Sequence, residues 1–223
     1  MTKRQRPNAN PASTGEPLST FENNMIRHLG LVEYQSTWQA MRTFTDTREA
    51  LAPDEIWLLE HPPVFTLGRA GRPEHILDPG EIPVVHTDRG GQVTYHGPGQ
   101  LVAYVLLDLE RRRMGIRRLV QDLEQSVIAL AAEAGIHATC KKGAPGVYVA
   151  GKKLAALGLR VRRGCCYHGL SLNVKMDLRP FDRIDPCGYP GLQVAQLHDL
   201  GVPWEMEEVK RRLSRHLLSR IYF

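Results

Sequence analysis

Cys187 lies in the run Asp185-Pro186-Cys187-Gly188-Tyr189-Pro190-Gly191. Free cysteines most often sit inside regular elements as small hydrophobes. One held between proline and glycine, in a turn-rich loop, is placed for reaction. Lys153 follows a turn at Gly151-Lys152 and opens an apolar run with small Ala155 and Ala156. A lysine there ordinarily marks the water-facing end of its strand. The alternative is a partly buried amine whose pKa falls by desolvation. The two residue types make a workable pair, because a thiol attacks an acyl group as thiolate. With reference values of about 8.5 for Cys and about 10.4 for Lys, proton transfer from thiol to neutral amine is downhill by roughly 2.6 kcal/mol. Such a pair suits acyl transfer through a thioester, the lysine returning its proton to the leaving group. Backbone amides of Gly90-Gly91 or Gly158 are the candidates for holding the oxyanion.

A second stretch supplies a pocket. Arg89-Gly90-Gly91-Gln92-Val93-Thr94-Tyr95-His96-Gly97-Pro98-Gly99-Gln100 precedes the apolar run Leu101-Val102-Ala103-Tyr104-Val105-Leu106-Leu107. The run reads as a buried strand. Paired glycines allow positive φ or close backbone approach. Two glycine turns framing a hairpin would explain the glycines alone. Arg89, Thr94, Tyr95, His96 and Gln100 crowded at the entrance point to a site instead.

The elements that must position these residues follow in order. The chain has 223 residues, 42% of them hydrophobic and 24% charged, enough for one good core. Residues 1–22 are polar, aperiodic and read as a disordered tail, leaving 23–223 as a single catalytic domain. A short strand at 25–31 precedes an amphipathic helix over 34–50, with Trp38, Met41 and Phe44 on its face. Strands are expected at 55–60 and 84–86, with Pro62-Pro63 between them breaking any central ladder. His61, beside those prolines, reads as a hydrogen-bonded loop histidine. The clearest helix spans 117–134, closed by Gly135. Strands at 146–150, 153–162 and 165–174, joined by turns, make an antiparallel meander. A loop at 177–184, a short helix or strand at 192–200 and an amphipathic helix from Trp204 complete the chain.

Other chemistries find no support. There is no GxxxxGK[ST], HExxH or CxxC. Cys165, Cys166 and His168 are metal-ligand types, but strand neighbours point to opposite faces, so no metal site is expected there. Residues 1–20 lack a secretory apolar core, and no run would span a membrane; with four cysteines in no disulfide pattern, this places the chain in the cytoplasm. The formal charge of +5 favours acidic partners.

The sequence resembles the lipoyl(octanoyl) transferases, the octanoyl-carrier-protein:protein octanoyltransferases of lipoate biosynthesis. The resemblance rests on the 89–100 stretch, on Gly-Lys-Lys-Leu-Ala-Ala-Leu-Gly-Leu-Arg at 151–160, on His-Gly-Leu-Ser-Leu-Asn-Val at 168–174 and on Asp-Pro-Cys-Gly-Tyr at 185–189. It covers roughly residues 25–200, with the motifs in family order, and Ser171 departs from the more usual alanine. It implies an α/β fold of the biotin/lipoate protein ligase type, a mixed sheet flanked by helices. It implies that Cys187 accepts the acyl group and that Lys153 is its acid/base partner. Arg89, Gly90, Gly91, Gln92, Val93, Thr94, Tyr95 and His96, with Ala156, Leu157, Gly158, Gly169, Leu170 and Ser171, correspond to the acyl-binding segments. The implied donor is octanoyl-acyl carrier protein. The implied acceptors are the lipoyl domains of 2-oxoacid dehydrogenase E2 subunits and the glycine cleavage H protein. No cofactor, metal, nucleic acid or membrane enters the scheme.

Three rivals are distinguishable. An ATP-using lipoate or biotin ligase would share the fold but needs no nucleophilic cysteine. An amidotransferase moving octanoate between lipoyl-type proteins would differ in donor preference. A non-enzymatic binding module for acidic partners or nucleic acid would keep its binding after Cys187→Ser.

Overall fold

The structure is a computed structural model that describes residues 25–222, and at Cys187 the backbone alone. The expected tail at 1–22 lies outside the described residues. Among the described residues, ten strands form two sheets. The large one has seven strands in the order β1 (Ile26–Leu31), β2 (Glu55–Glu60), β6 (Gln100–Asp108), β10 (Cys165–Asn173), β9 (Lys152–Arg162), β8 (Ala144–Val149) and β7 (Thr139–Lys141). Only β1 and β2 are parallel, joined through helix α1 (Tyr34–Thr47); the other pairs are antiparallel. The small sheet runs β4 (Val84–His86), β3 (Val64–Leu67), β5 (Val93–His96).

The long apolar runs arise because the central strands are covered on both faces. From β6, Leu101, Ala103, Val105 and Leu107 pack toward α2 (Ile116–Glu133) and α3 (Met206–Tyr222). Val102, Tyr104 and Leu106 point the other way and join Trp57, Leu59, Tyr167 and the α1 residue Met41. A third cluster, around Phe65, Tyr95 and Phe181, fills the space beneath the small sheet. The mixed sheet with flanking helices is thus as expected, and so is the β8–β9–β10 meander.

Four details differ. Helix α1 stops at Thr47 rather than at residue 50. Strand β7 is an exposed edge whose polar Thr-Cys-Lys carries no burial pattern to read. The segment 192–200 forms one 3-10 turn, His198–Leu200, and a single bridge from Val194 to Lys153, not a helix or strand. The β8–β9 turn falls at Ala150 (φ +48°) and Gly151 (φ +82°), one residue earlier than expected. Both turn residues have positive φ, which matches the twist of a two-residue hairpin.

Candidate active site

Lys153 is buried, at 4% exposure, although it stands at the start of its strand. The cause is a register irregularity in β9 opposite Val147 and Tyr148. Leu154 and Ala155 both enter the cluster beneath α2 and α3, so the alternation skips once. Lys153 thereby comes to share a cavity wall with Ala156. A bulge of this kind re-aims a side chain. Nζ donates to the Pro145 carbonyl at 3.3 Å and lies 5.1 Å from the centre of the Tyr148 ring. Gly146 makes room for it. A Cβ on Gly146, whose φ is +143°, would stand 3.1 Å from Lys153 Cε and 2.7 Å from the Ala155 carbonyl.

The Cys187 loop is tied to this lysine through its backbone. After the 3-10 turn Pro186–Gly188, the Lys153 amide donates to the Gln193 carbonyl and the Ala195 amide donates to the Lys153 carbonyl, both at 2.9 Å. Before it, the Asp185 amide donates to the His75 carbonyl at 2.8 Å. Gly188 adopts φ +73° and passes close to Gln92 and His75. Pro186 lines the cavity that holds Lys153, together with Thr94, Ala156, Ser171 and Asn173. The loop therefore places the residue adjoining Cys187 at the lysine's cavity.

Thr94, Ala156 and Ser171 also line a larger pocket of about 480 Å³, open on one side. Its floor is the β9–β10 pair, where Ala156 lies opposite Ser171 and Gly158 opposite Gly169. Small residues on both strands leave a trough in the sheet surface. Of the expected acyl-binding residues, Arg89, 91–94, His96, 156–158 and 169–171 line this pocket. Gly90 and Tyr95 do not. Gly90 crosses over Gly158, and its amide donates to the Leu159 carbonyl at 3.0 Å, so that amide is committed and does not serve an oxyanion. Tyr95 turns into the cluster beneath the small sheet, edge-on to Phe181 at 5.5 Å. The buried Arg89 guanidinium donates to Thr66 Oγ1 and to the carbonyls of Thr66, Gly90 and Gln92. It fixes the shape of the glycine loop.

Behind the pocket stands a buried polar group that sequence reasoning did not assemble. His61, fully buried, contacts the Val32 carbonyl at 2.6 Å and the Tyr104 hydroxyl at 2.7 Å. This agrees with a hydrogen-bonded histidine rather than one lining a cleft. His96 stacks on Tyr34 at 5.8 Å and reaches Gln100 Oε1 at 2.6 Å; Gln100 continues to Asn173, and Asn173 to the Ala195 carbonyl. One chain of hydrogen bonds thus links the pocket wall to the segment beside Lys153. Burial lowers the His61 pKa to about 4; burial and the neighbouring His61 lower that of His96 to about 3. Both are neutral at physiological pH.

His168 was expected to face away from Tyr167, and it does not. Its φ is +62°, which breaks the strand alternation. The ring stacks on Tyr167 at 5.1 Å, and Nε2 lies 3.1 Å from Asp88 Oδ1. Asp88 also accepts from Trp38 at 2.7 Å and from the Tyr167 hydroxyl. Burial pushes the Asp88 pKa up, but the hydrogen bonds from His168, Tyr167 and Trp38 outweigh it and hold the carboxyl well below its usual range. Tyr167 and His168 therefore share a face, contrary to the opposite-face expectation for 165–168. Among the described residues no group of three or more His, Cys, Asp or Glu side chains is arranged to hold a metal ion.

The other thiols are poorly placed for nucleophilic work. Burial pushes the Cys166 thiol up to about 12 and raises that of Cys165. Partial burial and the Glu124 carboxylate push Cys140, on edge strand β7, up to about 11.

Comparison with known proteins adds to this geometry. Residues 33–218 match the family described as the lipoyl protein ligase A/B catalytic domain. A curated octanoyltransferase of Alkalilimnicola ehrlichii is 58% identical over 205 residues, 92% of this chain and 95% of that protein. One from Halorhodospira halophila is 61% identical over 201 residues, covering 90% and 93%. Among solved structures, a putative lipoate protein ligase from T. acidophilum superposes with a TM-score of 0.73 at 16% identity, over 89% of this chain and 85% of that one. The biotin protein ligase of Aquifex aeolicus, in complex with biotin and ATP, reaches 0.55 at 14% identity, covering 88% and 70%. These likenesses show the shared fold of lipoate and biotin protein ligases.

Proposed function

The chain belongs to the octanoyltransferases of the lipoyl protein ligase A/B family, acyltransferases that move an octanoyl group for protein lipoylation, and we propose that it does so through a thioester on Cys187 with Lys153 as acid and base. The observation that carries this reading is the junction at Thr94, Ala156 and Ser171. There, the cavity holding the Lys153 amine and bordered by Pro186 meets the larger pocket.

In the first half-reaction, the Cys187 proton passes to neutral Lys153, and the thiolate attacks the carbonyl of octanoyl-acyl carrier protein. The bond from carbonyl carbon to carrier sulfur breaks, and the carrier thiol takes the proton from Lys153. In the second, the neutral amine of an acceptor lysine attacks the Cys187 thioester. An amide bond forms, the cysteine sulfur leaves, and Lys153 takes up the amine proton. The donor thioester is already activated, so no ATP is consumed. The octanoyl tail occupies the larger pocket, along the glycine-rich trough.

The acceptors are lipoyl domains of 2-oxoacid dehydrogenase E2 subunits and the glycine cleavage H protein. A formal charge of +5 suits acidic donor and acceptor domains. Residues 23–223 act as one catalytic domain, and the free thiols of Cys140, Cys165 and Cys166 suit the reducing cytoplasm. Among the described residues no helix is long and apolar enough to cross a membrane.

Intact-mass spectrometry after mixing the protein with octanoyl-acyl carrier protein tests the reading. One added octanoyl group, released by hydroxylamine, mapped to Cys187 and lost in Cys187→Ala, is expected. An adduct that survives in Cys187→Ala places the nucleophile elsewhere.

A further inference from the structure

The pocket has a polar end. Along β9 and β10 its floor steps from the Ala156–Ser171 rung, shared with the Lys153 cavity, through Leu157–Leu170 and Gly158–Gly169 to Leu159–His168. At that last rung the trough closes. Gly90 lies across Gly158 with its amide on the Leu159 carbonyl. The left-handed backbone at His168 turns its ring onto the pocket face, where ordinary alternation would have sent it to the opposite one. The ring is wedged between Tyr167 and Tyr104 and held by the Asp88 carboxylate. With Nε2 donating to Asp88, Nδ1 is left as an acceptor, buried and with no hydrogen-bond partner among the described residues. An apolar floor of glycine, alanine and leucine thus ends on an imidazole that is held by a carboxylate and has one unpartnered ring nitrogen.

We propose that His168, braced by Asp88, is the stop that limits acyl chains to about eight carbons. This rests on the assignment of the pocket to the acyl tail. The dimensions support it. Three strand steps from Ala156 to Leu159 span about 10 Å. An extended eight-carbon chain, built from single bonds of about 1.5 Å, reaches roughly 9 Å. A ten-carbon chain, roughly 11 Å when extended, overruns the Leu159–His168 rung and must either displace the ring or press methylene groups against the imidazole. Burying polar atoms against a chain that offers them no hydrogen bond is unfavourable. His168 touches no reacting atom in this scheme; it determines specificity.

The test uses the full-length protein and acyl carrier protein loaded with six-, eight-, ten- or twelve-carbon chains. The rate of acyl-enzyme formation is read by intact mass. Wild type is expected to prefer eight carbons to ten by at least about tenfold, the range that pocket-wall contacts with added methylenes give. His168→Asn shortens the side chain while tolerating the left-handed backbone, and His168→Gly removes both side chain and strain. Each should raise the ten-to-eight ratio by about tenfold. A change that merely loosened the fold would lower all lengths together. Folded variants that keep the wild-type ratio would overturn the stop, as would a wild type that takes eight, ten and twelve carbons equally. A wild type that takes no acyl group at any length would instead overturn the assignment of the pocket itself.

Discussion

The two faces of the large sheet are built from the same strands and differ in what they bury. Toward α2 and α3, the cluster around Leu107, Leu123, Val127, Leu213 and Leu217 is apolar, and the fully buried Ser126 and Ser214 bond back to carbonyls of their own helices. Toward α1 and the small sheet, the strands present Lys153, His168, Ser171 and Asn173, with His61, Thr66, His96 and Gln100 alongside. Each buried polar group must be hydrogen-bonded or cost stability. Of these, His96, Gln100 and Asn173 are linked in one chain that ends on the Ala195 carbonyl, and His168 is held on Asp88. One face supplies free energy of folding, and the other spends part of it on burying polar side chains. Perturbations of the two faces should therefore separate cleanly.

The largest expected effect on the polar face is Lys153→Arg. Arginine keeps the charge but cannot release a proton near neutral pH. Loss of acid/base function typically costs about 10²–10⁴-fold, and single-turnover transfer rates should fall within that range. Near-normal turnover would remove Lys153 from the chemistry. On the apolar face, Leu213→Ala should cost about 2–5 kcal/mol of stability, read by urea unfolding, while the folded fraction keeps its acyl specificity. A change of chain-length preference in that variant would mean that the faces are coupled.

Acid should act on the polar face first. His61 and His96 titrate near 4 and 3 when folded, below their ordinary value of about 6.5. The unfolded chain binds more protons in this window, so stability is fully present above about pH 6.5 and is lost as pH falls toward 4. Each histidine contributes about 1.4 kcal/mol per pH unit there. The melting temperature should drop between pH 6.5 and 4.5, and His96→Gln should make that drop shallower. An unchanged slope would show that His96 is not the titrating group. The smallest effect is Cys165→Ser, beside the apolar face's Cys166 but outside the pocket, which should leave acyl-enzyme formation within about twofold of wild type.

The sequence makes the apolar face legible and the polar face only partly so. The runs in β2 and β6, and the periodic faces of α2 and α3, announce burial directly. The glycine-rich motif and the Pro-Cys-Gly loop locate the site. Three features depend on backbone geometry that residue types do not encode locally. The irregularity in β9 decides that Lys153 is buried, and the positive φ at His168 decides which face its ring joins. Tyr34, Val102 and Tyr104 line the pocket from an unremarkable helix and an apolar run, where side-chain type alone does not distinguish lining from core. The partition of strands into two sheets is likewise a non-local choice, hinted at by Pro62-Pro63 and settled by pairing far along the chain.

The most direct test of the central claim is transfer to a lipoyl domain with purified components and no ATP. Octanoyl-acyl carrier protein as sole donor should convert the acceptor lysine to its octanoyl amide, at a rate that collapses in Cys187→Ala and Lys153→Arg. Modification only when ATP and free octanoate are supplied would contradict the account and mark the chain as a ligase on the same fold.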